Sequence, residues 1–316
     1  MSNCKYKVSL ISAIYGVERY ISKFADSVLS QTSDDVQFIF VNDGTRDRSV
    51  EILRQLIQEK YSHITDRILI IDQPNMGLPQ ARKTGLEHAE GEYVLFADSD
   101  DWIELNTVER IVDVAKQTDA DIIYFDIVKE YGSRRSVKRE REYTAATREE
   151  WIENIFNYRS FGYTCTKCFK RRLYTENKIY IPKLGMHEDI YIMSQIIFYA
   201  KSIVYLPEVL YHYRKDNEGA MTAGDRKSRH LASSENLLDL YDKYRDDIAH
   251  SPIRRVADGI VLRAGWHSLI HGRDFFKEND WLADAICRAK VSGNYRTPLL
   301  FQVIVKVYVR MMRRKS

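Results

Sequence analysis

Gly91–Trp102 reads GEYVLFADSDDW, and its reading decides the fold. Tyr93–Ala97 is a short apolar, partly aromatic run, long enough for one buried strand. It stops at Asp98, and Asp98-Ser99-Asp100-Asp101 then places three carboxylates in four residues. Charge packed this densely at a strand end is costly unless something positive sits there. A hard divalent cation fits, because it takes oxygen ligands and tolerates a diphosphate beside them. In open α/β sheets, ligands bind outside the carboxyl ends of the strands, so position and chemistry agree. The plainer alternative is an acidic N-cap and turn ahead of a helix that starts near Leu105.

Upstream, apolar runs and helical spacings alternate. Val8–Ile14 (VSLISAI) reads as a buried first strand ended by Tyr15-Gly16. Glu18–Leu29 has Tyr20, Ile21, Phe24, Val28 and Leu29 at helical spacing. Val36–Val41 is a second strand, Asn42-Asp43-Gly44 a sharp turn, and Arg48–Lys60 a second helix. Arg67–Ile71 is a third strand, Asp72–Leu78 a loop with Pro, Asn and Gly as breakers, and Ala81–His88 a third helix. Downstream, Leu105–Lys116 is a helix and Asp121–Val128 a fifth strand. This alternation implies right-handed βαβ units and a parallel sheet with helices on both faces. Asp43 and Asp98 to Asp101 should then meet along one sheet edge.

The pattern breaks after Val128. Ser133–Tyr143 (SRRSVKREREY) is a mixed charge run that reads as a solvated loop or hairpin. Glu149–Tyr158 looks helical. Cys165 and Cys168 have C-x-x-C spacing, but no second pair exists, so packed, reduced thiols are expected rather than a zinc site. Leu184–Asp189 (LGMHED) opens a helix to Ala200, its acids favoured by the helix dipole. Ile203–Leu206 and Val209–Tyr213 look like short strands around Pro207, and Arg214–Gly224 like a polar loop. Helices follow over Arg229–Tyr244, Arg254–His271 and Trp281–Lys290. Pro298–Met312, ending in Arg313-Arg314-Lys315, would form a basic amphipathic helix. It suits either an anionic membrane surface or docking on the core.

The chain's 316 residues leave room for one large domain with additions, or for two. The net charge of +3 says little about nucleic acid, and none is expected as a partner. Four cysteines do not make a disulfide framework. Met1–Tyr6 is polar, the first apolar run is too short for a signal peptide, and no run reaches transmembrane length. These points lead to the expectation of a cytoplasmic protein.

Several motifs, in this order and spacing, resemble the family 2 glycosyltransferases of the GT-A fold, particularly bacterial cell-surface polysaccharide enzymes. VSLISAIYGVERYI is similar to the family's opening strand and loop, and FIFVNDGTRDRSVEIL to its D-D-G turn. QPNMGLPQARKTGLEHAEGEYVLFADSDDW resembles the N-x-G-x-x-x-A-R stretch running into the D-x-D motif. TCTKCFKRRLY resembles an acceptor-side segment, MHEDIYIMSQI the E-D motif, and LYHYRKDNEGAMT the closing Y-x-Y-R element. Ala13, Gly16, Asn42 and Lys83-Thr84 depart from the usual residues, as does Thr164-Cys165-Thr166 on the acceptor side.

The resemblance implies a Rossmann-like α/β/α sandwich with a mostly parallel sheet over residues 1–222. Its nucleotide-binding half would be about 1–128 and its acceptor-side half about 129–222, followed by a helical C-terminal region, 223–316. It assigns roles residue by residue. Tyr15 would border the base, Asp43 would accept hydrogen bonds from uridine, and Arg82 would neighbour the nucleotide. Asp98 would contact the ribose or the metal's water shell, Asp100 would ligate Mn²⁺ or Mg²⁺, and Asp189 would be the general base. His212 is either a further metal ligand or a packed histidine. The implied reaction is inverting transfer from a nucleotide-sugar donor, a UDP-sugar, to a saccharide or lipid-linked saccharide acceptor. The alternatives are a sugar-phosphate nucleotidyltransferase, against which the single glycine after the first strand argues, and a non-catalytic protein that kept the fold.

Overall fold

The structure is a computed structural model, and it describes residues 4–139, 145–183, 186–217, 219 and 225–313. In chain order the first elements are β1 (Tyr6–Ile14), α1 (Ile21–Leu29), β2 (Val36–Asp43), α2 (Ser49–Lys60), β3 (Ile68–Gln73) and α3 (Leu78–Glu87). Next come β4 (Gly91–Phe96), β5 (Trp102–Ile103), α4 (Thr107–Thr118), β6 (Ile122–Tyr131), β7 (Arg134–Lys138) and α5 (Arg148–Phe156). β8 (Lys167–Lys170), α6 (Arg172–Thr175), α7 (Glu188–Tyr199) and β9 (Ile203–Arg214) follow. The chain then runs through α8 (Arg226–Tyr244), α9 (Ala257–His271), α10 (Phe275–Glu278), α11 (Leu282–Arg288) and α12 (Leu299–Arg313).

Two compact units contain these elements. The first comprises Met1–Thr144, Tyr163–Lys183 and Tyr199–Ala220, and holds a nine-stranded sheet ordered β3-β2-β1-β4-β8-β6-β9-β5, with β7 paired to β6. β3, β2, β1 and β4 are mutually parallel, as the alternation of runs implies. Period-two alternation sorts their side chains. Val8 and Leu10 of β1 join Phe38 and Phe40 of β2 in one core with Phe24 of α1, Leu53 of α2 and Val108 of α4. Ile11 and Val41 point to the opposite face, where α3 lies so close that a Cβ on Gly85 would stand 2.2 Å from Ile11 Cγ2. That approach needs glycine.

The sheet departs from the expected parallel order at β8, a four-residue strand that pairs antiparallel with both β4 and β6. β6 is thus separated from β4. The two short strands expected around Pro207 are one strand, β9, parallel to β6. The register shifts beside Asp126, where β9 steps from Leu206 to Val209, so Pro207 falls where no ladder bond requires its missing N–H. The charge run is a hairpin of β6 with β7 through Lys138; residues 140–144 lie outside the described residues. Cys165 and Cys168 are free and buried, and burial raises both thiol pKa values, as inert packed thiols require.

The second unit, Ala145–Gly162, Leu184–Phe198 and Met221–Ser316, is helical where described. α9 is its hub. Burial extends around much of this helix, from Ala257 to Ser268, as in a core helix. Val261 and Leu262 pack with Leu238 of α8, Leu282 and Ile286 of α11, and Val305 and Val309 of α12. Trp266 stacks on Phe301 with centroids 4.1 Å apart.

Candidate functional site

The register places the ends of β1, β2 and β4 together. Ile14 pairs with Asn42, and Ile11 with Phe96. Tyr15, Asp43 and Asp98 each follow closely on these paired residues, at the carboxyl edge. Tyr15 is 52% exposed. Asp43 is buried, and both of its oxygens are engaged by the end of β3 and the loop that follows it. Oδ1 accepts from Gln73 Nε2 at 2.8 Å and the Met76 N–H at 2.9 Å, and Oδ2 from the Gly77 N–H at 2.8 Å. Asp43 therefore shapes the entrance to α3. Beside it, Asn42 Oδ1 accepts the Thr45 N–H while Nδ2 donates to Asp72 Oδ1 at 2.8 Å. An aspartate at 42 could not make the second bond, which gives this departure from the family pattern a physical reason.

The turn after β1 is pinned to the turn after β2. Asp47 accepts from Thr45 Oγ1, Ser49 Oγ, and the backbone N–H groups of Ser49 and Glu18. Burial acts to raise the Asp47 pKa, but the hydrogen bonds outweigh it and hold this carboxyl below the usual range.

The three acids after β4 have different surroundings. Asp98 Oδ1 pairs with Arg82 Nη2 at 2.6 Å. Arg82 is only 3% exposed and also lies over the Phe96 ring, so it is neither a helix-surface arginine nor an open cation. Asp101 is buried; its Oδ2 accepts from Tyr211 Oη at 2.8 Å and its Oδ1 from the Arg214 N–H at 2.7 Å. Tyr211 Oη in turn accepts the Asp98 N–H at 3.0 Å. Burial first, then Asp100 and Asp98, push the Asp101 carboxyl well above its ordinary range. Ser99 Oγ ties the turn to Ala13 O. Among the described residues Asp100 receives one side-chain hydrogen bond, from Asn217 Nδ2 to Oδ2 at 2.7 Å, and Arg214 Nε holds its backbone carbonyl. Burial, then the neighbouring Asp98, raise its proton affinity.

Among the described residues no cluster of three or more metal-ligating side chains occurs. The residues present nonetheless fit a hard cation held by one or two carboxylates, with phosphate oxygens and water completing its shell. Asp98 is paired with Arg82, whereas the Asp100 carboxylate makes no ion pair among the described residues, and the Arg214 charge opposes burial and the neighbouring Asp98 only in part. His212 is not a ligand. Its Nδ1 faces Glu130 at 2.9 Å, its Nε2 faces Glu104 at 2.7 Å, and its ring stacks on Trp102.

Asp189 belongs to the helical unit, in the first turn of α7, where Oδ1 accepts the Ile190 N–H at 2.7 Å. His187 precedes it in a left-handed conformation, φ 63°. Its ring nitrogens lie 2.6 Å from Ser233 Oγ and 3.1 Å from Tyr158 Oη. Tyr211, Arg214 and Asn217, which hold the acidic turn, carry no role in the family resemblance. The signal is present in LYHYRKDN, since three acids within four residues need donors and this stretch supplies them.

The family model Glycosyl transferase family 2 matches residues 9–176. EpsH of Bacillus subtilis (strain 168) is 32% identical over 213 residues, 66% of this chain and 60% of EpsH. Glycosyltransferase GlyA of Streptococcus pneumoniae serotype 4 is 34% identical over 218 residues, 66% of this chain and 30% of GlyA. The alignments thus span less than two thirds of either relative. The crystal structure of Staphylococcus aureus TarS 1–349 in complex with UDP-GlcNAc superposes with a TM-score of 0.67 at 18% identity, over 98% of this chain and 92% of that one. At that identity the likeness shows the fold, a GT-A-like curled, mostly parallel sheet with helices.

Proposed function

The chain belongs to glycosyl transferase family 2, and from that premise we propose that it transfers a sugar, with inversion, from a UDP-sugar to an acceptor hydroxyl in bacterial cell-surface polysaccharide synthesis. The observation that carries this reading is the carboxyl edge of β1, β2 and β4, where Tyr15, Asp43, Asp98 and Asp100 collect. UDP enters because the TarS neighbour was solved with UDP-GlcNAc.

The exposed Tyr15 ring offers the base an apolar wall. Asp43 already accepts three hydrogen bonds, so of about four acceptor positions on a carboxylate one remains for uridine. Arg82 fixes Asp98 toward the ribose, and Asp100, with Asp98, would hold Mn²⁺ or Mg²⁺. When bound, the cation offsets negative charge gathering on the departing diphosphate. Asp189 takes the proton of the acceptor hydroxyl as that oxygen attacks the anomeric carbon. Attack opposite the leaving group inverts the centre, and positioning supplies much of the barrier reduction.

Thermal unfolding with UDP, with and without Mn²⁺, tests the donor site, because a ligand of the native state raises the melting temperature. Wild type should gain stability from UDP with metal, and Asp100→Ala should lose that gain. Asp189→Asn should abolish transfer with UDP affinity nearly unchanged; collapsed affinity would make Asp189 structural. UDP binding without turnover of any sugar nucleotide would favour the non-catalytic reading, and pyrophosphate release from a nucleoside triphosphate the nucleotidyltransferase.

No helix among the described residues is long and apolar enough to cross a membrane. α12 nevertheless exposes Leu299, Leu300 (66%), Val303, Ile304, Val307 and Met311 along one side. Arg310 is exposed near its end, ahead of Arg313-Arg314-Lys315 in the sequence. An amphipathic stripe with terminal cations supports peripheral contact with an anionic bilayer at the cytoplasmic face. Deleting α12 would strip Val305 and Val309 from the core, so the test is Leu300→Asn with Val307→Asn. The double variant should sediment less with phosphatidylglycerol vesicles, and equal sedimentation would remove the idea.

A further inference from the structure

The helical unit contains cationic groups that the reading above does not use. Arg263 of α9 is 9% exposed. Its Nη2 makes one long bond, 3.3 Å, to Phe156 O, and its Nε is buried without a partner. Its guanidinium lies 5.9 Å from the Tyr158 ring centroid, and that of Arg296 lies 3.6 Å from the same centroid. Neither arginine makes an ion pair among the described residues.

This is an expensive arrangement. A guanidinium has five N–H donors in a fixed fork, and a buried charge is normally paired. Arg263 is so far removed from water that burial lowers its pKa, and the Arg296 charge lowers it further. His187 supplies no compensating acceptor charge. Its nitrogens face Ser233 and Tyr158, and burial, then Arg263 and Arg296, hold it at about 4, so it is neutral near pH 7. Asp189 is near enough for its charge to act on Tyr158. Two guanidiniums thus lie near one ring, and the hydroxyl of that ring meets His187, two residues before the candidate base.

We infer that Arg263 and Arg296, set against Tyr158 beside Asp189, form a subsite for a phosphate group carried by the acceptor. Two guanidiniums match a phosphate in charge and in donor geometry. A phosphate held there places a hydroxyl of the same molecule near Asp189. That the phosphate belongs to an acceptor rests on the transferase reading; that the unit binds phosphate does not.

The test is calorimetric titration of the full chain with sn-glycerol 3-phosphate, with UDP and Mn²⁺ saturating so that any donor site is filled. Glucuronate serves as a carboxylate probe. Wild type should bind the phosphate ester, Arg296→Gln should bind it at least tenfold more weakly, and Arg296→Lys should fall between. Arg296 is exposed, so the variant should fold, which its melting curve checks; Arg263→Gln, at a buried position, is the second variant. No phosphate binding by wild type, equal binding by wild type and Arg296→Gln, or glucuronate binding as tight as the phosphate ester, would each overturn the assignment. A wild type that binds phosphate but no nucleotide would sink the transferase reading and leave the phosphate subsite standing.

Discussion

Tyr211→Phe should be among the most damaging single-atom changes near the acidic turn. The hydroxyl is fully buried; it donates to Asp101 Oδ2 at 2.8 Å and accepts the Asp98 N–H at 3.0 Å. Phenylalanine keeps the ring and removes only the oxygen. The space left is one atom wide, too small to admit a water that could replace both bonds. Each orphaned buried group costs about 1–3 kcal/mol, more where a charge is involved, so the expected loss is about 3–4 kcal/mol. Urea denaturation at pH 7 measures it, with the slope checked for constancy so that the midpoint shift reports stability. The turn carries Asp98 and Asp100, so UDP affinity in Mn²⁺ should fall with it. A loss under about 1 kcal/mol at unchanged slope would refute the reasoning, because the hydroxyl would then not be what holds Asp98 and Asp101.

Asn42→Asp restores the family's usual residue but puts a carboxylate where Asn42 Nδ2 now meets Asp72. The site is partly exposed, so the cost should be about 0.5–1.5 kcal/mol and should shrink in high salt; a salt-independent cost would exclude repulsion as its cause. Burial, then Arg263, Arg296 and His230, hold His187 at about 4, against an ordinary 6.5. The unfolded chain therefore takes up this proton first, and stability is lost as pH falls from about 6.5 toward about 4. His187→Asn tolerates the left-handed backbone and should flatten that slope in denaturation at stepped pH; an unchanged slope would show that other groups set it.

The strands β1 to β4 were legible because each is an apolar run bounded by turn residues, and helical spacings separate them. Their parallel order then placed Asp43 and Asp98 at one edge without further information. β8 was not legible for a physical reason. Its sequence is Lys-Cys-Phe-Lys, too short and too charged to show the apolar run that marks a buried strand. Both lysines are buried, Lys170 against Asp119 and Asp121, and Lys167 on Thr166 Oγ1 and Tyr163 O. Arg82 was more readable than its assignment suggests. It shares the i, i+3, i+4 face of α3 with Gly85 and Leu86, and an arginine on a buried face demands an acid, which Asp98 supplies.

The acidic turn yields one more consequence. Arg82 neutralises Asp98, and Asp101 is satisfied by Tyr211 and the Arg214 N–H. Among the described residues the side chain that hydrogen-bonds the Asp100 carboxylate is Asn217, and burial, then Asp98, outweigh it and the Arg214 charge to raise its proton affinity above that of an ordinary carboxyl. A carboxyl whose pKa is higher folded than unfolded makes the native state lose stability as pH rises above about 4. Asp100→Asn keeps an acceptor for Asn217 and abolishes that loss. Without divalent cation the variant should therefore match or exceed wild type in stability at pH 7, and the difference should shrink as pH falls toward 4. With Mn²⁺ and UDP the order should reverse, because only wild type gains from the ligands. If Asp100→Asn were less stable under both conditions, Asp100 would be a structural acid like Asp101, and the cation would have to be sought elsewhere.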